Sequence, residues 1–293
     1  MELHLKEQFL DISYSQVHSD VYHQFDIYLT RPVHPHQPLS LPPLICFVHG
    51  GAWISQDKKE HADLARDLAT RTKYPVVVPN YRLSPREPTE HNLFHHPGHA
   101  SDILECLTFL LTWEGPLGLG SVYDPQQIYL IGHSCSAHIL SSIFLDSSSI
   151  TPSLTPPNLL LQSVKGIILA QGIYDIDLLL SSFPNYRTWF IEPAFGKQDS
   201  YAPLSVTNCA MREPNISWCL VHSKGDPLVD TLQSNAMYNH LCRLVGESGN
   251  GRIKYGGQDL LANHYDVIKS DPFLTLVANF IKDNTCSMYR INM

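Results

Sequence analysis

Three residue types that together perform acyl transfer stand far apart in this chain: Ser134, Asp226 and His264. Ser134 lies in the stretch Ile128-Tyr129-Leu130-Ile131-Gly132-His133-Ser134-Cys135-Ser136-Ala137-His138. An apolar, β-branched run ends at Gly132 and small residues follow the serine. That pattern reads as a strand, a sharp turn and a helix, with a hydroxyl at the apex. Free serine is a poor nucleophile and needs a neighbouring base to take its proton. His264 is the candidate base. Asp226 is the candidate carboxylate that fixes its tautomer and stabilises the imidazolium. His49-Gly50-Gly51-Ala52-Trp53 supplies the other half of the chemistry. A carbonyl under attack develops a negative oxygen, and glycine lets backbone N–H groups approach it closely. The amides of Gly51, Ala52 and Cys135 are the candidate oxyanion donors. Ser136 departs from the usual G-x-S-x-G, because it stands where the second glycine is expected.

The elements that must position these residues alternate between strands and helices. Phe25 to Leu29 reads as an early antiparallel strand, and the Pro-containing stretch Arg31 to Pro38 as a loop. Leu44 to His49, Val76 to Tyr81, Val164 to Gln171 and Trp218 to His222 are apolar runs, as expected of strands buried on both faces. Arg252 to Tyr255 is a short strand near the sheet edge. Helical spacing covers Ala62 to Arg71, His99 to Trp113, Ala137 to Leu145, Asp230 to Val245 and Pro272 to Lys282. Ser147 to Asn158, rich in Ser and Pro, is expected to be a flexible excursion. Residues 176–215 hold many aromatics with little periodicity and read as a lid or cap. Residues 1–20 are an unassigned extension, and residues 21–293 read as one α/β domain with a mostly parallel sheet. Active groups gather at the carboxyl ends of such strands, where Ser134, Asp226 and His264 all fall.

Composition narrows the function. Hydrophobic residues make up 43% and charged residues 16%, which fits a globular enzyme with an ample core. The net charge of -8, with no basic block, argues against a nucleic-acid partner. The N-terminus carries no apolar stretch of a secretory signal, and no run is long enough to span a membrane. The seven cysteines are scattered and form no C-x-x-C pair, which points to a reducing, cytoplasmic setting with buried thiols. A small molecule is the expected partner, and a homodimer is left open.

Other residues compete for the same roles. Asp175 also follows a strand and is the rival acid. Asp230 reads as a helix N-cap, and His222 as structural. His91, His95, His96 and His99 suggest a metal only superficially. They lie in a Pro-containing loop without carboxylate or Cys at ligand spacing, so a solvated loop with no metal is expected. Cys135 reads as a small filler whose amide matters. Trp53, Tyr174 and Tyr186, with Phe183 and Trp189, are candidate walls of an aromatic substrate pocket, although such residues are more often core.

These motifs resemble the α/β-hydrolases, on the branch with an H-G-G-x-W motif. That branch includes carboxylesterases similar to hormone-sensitive lipase and the kynurenine formamidases. The order Ser134, Asp226, His264 is the order of that fold. Asn80-Tyr81-Arg82-Leu83-Ser84-Pro85, Gly172-Ile173-Tyr174-Asp175, Leu220-Val221-His222-Ser223 and Asn263-His264 make the chain most similar to fungal kynurenine formamidases. The resemblance implies a serine hydrolase that cleaves N-formyl-L-kynurenine to L-kynurenine and formate without a cofactor. A carboxylesterase for short acyl esters is the alternative within the enzymes. A catalytically inactive binding module on the same fold is the alternative outside them, motivated by Ser136.

Overall fold

The computed structural model describes residues 4–32, 40–246 and 251–291. Its strands are β1 (His4–Ser13), β2 (Gln24–Pro32), β3 (Leu44–Val48), β4 (Val76–Pro79), β5 (Ile128–His133), β6 (Leu145–Asp146), β7 (Val164–Ala170), β8 (Ala210–Met211), β9 (Ser217–Val221) and β10 (Ile253–Gly256). Eight of them form one sheet in the order β1-β2-β4-β3-β5-β7-β9-β10, and β6 pairs with β8 apart from it. β1 and β2 pair antiparallel, as do β2 and β4; the pairs from β4 through β10 are parallel.

Alternation along the central strands sets the layers. Leu44, Cys46 and Val48 of β3 enter one core, while Ile45 and Phe47 enter the other. Successive side chains of a strand point to opposite faces, so a run apolar at every position is buried on both. The first face is covered by α2 (Gly98–Leu110), α3 (Cys135–Phe144) and α7 (Thr231–Val245), through Ile103, Leu107, Ile139, Leu140, Met237 and Leu241. The second is covered by α1 (Ala62–Thr72) and α8 (Asp271–Ile291), through Leu64, Leu68, Phe273 and Val277.

Several expectations need correction. The unassigned N-terminal extension contributes edge strand β1, and Arg31 and Pro32 belong to β2; the rest of the expected loop, 33–38, lies outside the described residues. The expected flexible excursion is packed: Leu154 is fully buried, the Thr151 hydroxyl bonds to Ser147, and α4 (Asn158–Ser163) follows. Within 176–215 the chain makes α5 (Ile176–Ser182), a π-helical turn over Arg187–Ile191, α6 (Glu192–Phe195) and two short 3-10 turns. Among the described residues no helix is long and apolar enough to cross a membrane. Cys46, Cys106, Cys135, Cys209, Cys219 and Cys242 are free thiols, four of them buried.

Edge strand β1 is fastened by charge. A bulge between Phe9 and Ile12 turns Asp11 to φ +56°, and its N–H donates to Asp26 Oδ1 at 2.8 Å. Lys58 Nζ donates to both Asp11 and Asp26 at 2.6 Å, with Lys58 and Asp26 each 1% exposed. Removing one partner of such a pair strands the other charge. Lys58→Ala is therefore expected to lower stability by about 3 kcal/mol, and Lys58→Met with Asp26→Leu to recover most of it, read from denaturant midpoints.

Among the described residues nine histidines are buried. Burial pushes His49 and His138 down to about 4, and His61 and His99 down to about 3. The unfolded chain binds these protons near pH 6.5, so it holds more protons than the folded one between the two values. Stability is then full above about pH 6.5 and lost as pH falls toward 4, each group contributing up to about 1.4 kcal/mol per pH unit. A melting temperature at pH 5 lower by about 10 °C or more than at pH 7 is expected by calorimetry. An unchanged value would show that these imidazoles are hydrated.

Candidate active site

The turn between β5 and α3 puts Ser134 at φ +57° and ψ -121°, a conformation that L-residues rarely adopt. Its N–H donates to Ala170 O at 2.9 Å, and its carbonyl accepts from Ala137 and Ile173, so the apex is fixed from both sides. Gly132 is required beneath it: a Cβ there would meet Ser136 O at 2.9 Å. Ser134 is 6% exposed, and its hydroxyl makes no hydrogen bond among the described residues. Apo serine–base contacts are often long and tighten only with substrate bound.

Asp226 and His264 come together at the carboxyl ends of β9 and β10. His264 Nδ1 donates to Asp226 Oδ2 at 2.7 Å, and both side chains are buried. Asp226 Oδ1 accepts from the Leu228 and Val229 amides at 2.8 and 3.1 Å. The two loops touch backbone to backbone. A Cβ on Gly225 would lie 2.0 Å from Leu261 O, and Ser223 Oγ donates to Leu260 O and Ala262 O at 2.9 and 2.6 Å. His133, the residue before the serine, donates from Nε2 to His264 O at 2.9 Å, and the two rings lie 4.7 Å apart. Burial first, and then the neighbouring His264, push His133 well below the ordinary histidine value, so it is neutral.

The loop after β3 lies against this elbow. A Cβ on Gly50 would stand 3.0 Å from Ser134 Cβ and from His133 O. Gly51, Ala52 and Trp53 follow with φ of +97°, +54° and +61°. The Trp53 amide donates to Cys135 Sγ at 3.3 Å, and the Ala52 amide also leans on that sulfur. Ser136 Oγ donates to His49 O. Tyr81 OH lies 3.0 Å from both His49 O and Gly50 O. The sequence alone assigns no role to the side chains of Tyr81 and His133, and shows Ser136 only as a departure from the motif glycine. The signal for Tyr81 is its place just past the end of β4, beside β3.

The rivals separate cleanly. Asp175 caps α5, accepting from Leu178 N at 3.0 Å and Ser205 Oγ at 3.3 Å, so it is no partner of His264. His222 is structural, bonded to Ser234 Oγ and Val229 O. Asp230 occupies the N-cap position of α7 without a side-chain cap bond. The histidines at 91–99 do not form a solvated loop throughout: His99 is fully buried and bonds to Ser84 Oγ at 2.9 Å. Among the described residues the metal-sized cluster is elsewhere, at His18, Asp20 and His23. There the imidazoles of His18 and His23 stack at 4.3 Å with 20° between planes, so their in-plane lone pairs do not converge on one ion.

The expected aromatic wall is also corrected. Trp53 and Tyr174 are fully buried; Trp53 packs on His138, Phe190 and Phe195, because its loop turns inward to reach Cys135. Tyr174 lies in the core, its amide held by Gln233 Oε1 at 2.8 Å. Tyr186 does reach the site. Its OH donates to Leu228 O at 3.1 Å beside Asp226, and it stacks on Phe183 at 4.9 Å, while Trp189 next to it is 54% exposed.

Among curated proteins, the chain is 28% identical over 206 residues to a kynurenine formamidase of Meyerozyma guilliermondii, covering 67% of this chain and 70% of that one. A kynurenine formamidase of Debaryomyces hansenii is 25% identical over 278 residues, covering 76% and 88%. Among solved structures, esterase B from Lactobacillus rhamnosis superposes with a TM-score of 0.74 at 14% identity, covering 98% of this chain and 90% of that one. The BD-FAE family matches residues 25–241, which takes in the elbow, the loop after β3 and Asp226. On that match and on its sheet order, the chain belongs to the BD-FAE family of α/β-hydrolases.

Proposed function

We propose that the protein is a serine hydrolase that cleaves N-formyl-L-kynurenine to L-kynurenine and formate. The observation that carries the mechanism is the 2.7 Å bond from His264 Nδ1 to buried Asp226, beside a serine held at φ +57°. With Nδ1 engaged, Nε2 is the nitrogen left to exchange a proton. Ser134 Oγ attacks the formyl carbon and its proton passes to His264. The oxyanion is held by the backbone N–H groups of Gly51 and Cys135, the last at the positive end of α3, while the Ala52 N–H, expected as a third donor, is turned to the Cys135 sulfur. His264 then protonates the leaving aryl amine. Water, deprotonated by His264, attacks the formyl-enzyme and releases formate, and Ser134 regains its proton. No metal or cofactor enters these steps.

The substrate rests on the names of the relatives and on the aromatic cluster of Phe183, Tyr186 and Trp189 beside Asp226, which suits a flat aryl group. We place the protein in the cytoplasm, the reducing setting that its scattered cysteines suit.

Ser134→Ala is expected to lower formate release from N-formyl-kynurenine by about 1000-fold or more, and Asp226→Asn by a comparable factor. Equal rates in Ser134→Ala and wild type would overturn the mechanism. Faster turnover of p-nitrophenyl acetate than of the formamide, judged by kcat/KM, would transfer the reading to a short-chain esterase. Tyr186→Ala is expected to raise KM about 10-fold with a small effect on kcat, a loss near 1.4 kcal/mol. Tyr174→Ala, by contrast, removes core volume and is expected to lower stability by about 3 kcal/mol or more.

A further inference from the structure

Ser136 and Cys135 do more than continue the helix after the nucleophile. His49 and Gly50 follow the last ladder pair of β3, Val48 with Gly132, and their carbonyls are buried, so each needs a donor from outside the sheet. Gly50 O has the His49 ring, whose Nδ1 lies 3.0 Å away. Tyr81 OH lies 3.0 Å from both carbonyls but has one proton. Ser136 Oγ is the donor that His49 O does not share. One residue earlier, the Cys135 thiol accepts the Trp53 amide at 3.3 Å. The segment between these two anchors, Gly51 to Trp53, is left-handed at three successive residues, two of them not glycine. Such backbone costs roughly 1–2 kcal/mol per non-glycine residue and persists only where its surroundings over-determine it.

We propose that Ser136 and Cys135 are positioning residues whose side chains clasp the Gly51–Trp53 loop to the elbow, and that Ser136 is a working replacement for the motif glycine. This rests on the reading of that loop as an oxyanion hole. Both anchors leave α3 within one turn of Ser134, so the loop amides and the serine ride on one element. A glycine at 136 would restore the common motif and take from His49 O its donor on α3.

The two views of Ser136 predict opposite results. If the serine were a defect of the elbow, Ser136→Gly would speed the enzyme. As a clasp, both Ser136→Gly and Ser136→Ala slow it. The second-order rate of fluorophosphonate labelling and kcat should each fall about 10-fold, and toward 100-fold when Tyr81→Phe is added, with KM within twofold of wild type. The alanine variant guards against the helix cost of glycine. Cys135→Ala is expected to act in the same direction. Wild-type labelling at Ser134, absent in Ser134→Ala, reports on the parent reading separately. If wild type labels and Ser136→Ala labels as fast, the clasp is overturned and the serine mechanism stands. If wild type takes no label at Ser134, the serine mechanism falls and the clasp with it.

Discussion

Two strained turns face each other across adjacent parallel strands, and the rest of the site depends on their being held in contact. One is the elbow after β5, with Ser134 at φ +57°. The other is the loop after β3, left-handed from Gly51 to Trp53. Gly50 lets them touch, since a Cβ there would already crowd Ser134 Cβ at 3.0 Å. Neither turn would keep its shape alone, because each uses backbone conformations that a free chain leaves. The surroundings supply the difference: Ala170 O takes the Ser134 amide, and Ser84 N donates to Trp53 O at 2.8 Å. Ser55 Oγ donates to Gly51 O at 2.8 Å.

The acid–base half is assembled on a different principle. Asp226 and His264 sit on the loops after neighbouring strands β9 and β10, whose backbones interlock through Gly225 and Ser223. Their separation is thus set by main-chain contact at Gly225 and by the Ser223 hydroxyl on the facing carbonyls. His133 then ties this unit to the elbow, because its Nε2 holds the carbonyl of His264 itself. A neutral, buried imidazole suits the task. A charged one would repel the imidazolium that forms on the base in the proposed reaction.

Legibility in the sequence followed how strongly each residue's role is written in its type. The central strands were plain because burial on two faces demands apolar residues at every position, as in Leu44 to Val48. The His–Asp pair was found because its residues follow strand ends in the order this fold requires. β1 was not legible: an edge strand half in solvent shows no apolar run, and its order depends on Lys58 and Asp26, far along the chain. Trp53 and Tyr174 were read as pocket walls because an aromatic residue beside a motif suits a ligand as well as a core. Only the inward turn of the loop decides for the core. The Ser136 hydroxyl was read as a missing glycine because its acceptor, His49 O, lies 87 residues away.

Burial around the elbow bears on which acyl groups the site suits. Ser134 is 6% exposed, Gly50 packs against its Cβ, and Trp53 fills the space beneath the loop. In the proposed reaction the substrate carbonyl comes to the serine beside these groups. A formyl group, with hydrogen in place of an acyl chain, asks for the least room. On the leaving-group side, Tyr186 and the exposed Trp189 offer aromatic surface beside Asp226. Close packing at the serine and aromatic faces beside Asp226 suit the small acyl group and flat amine of the proposed substrate.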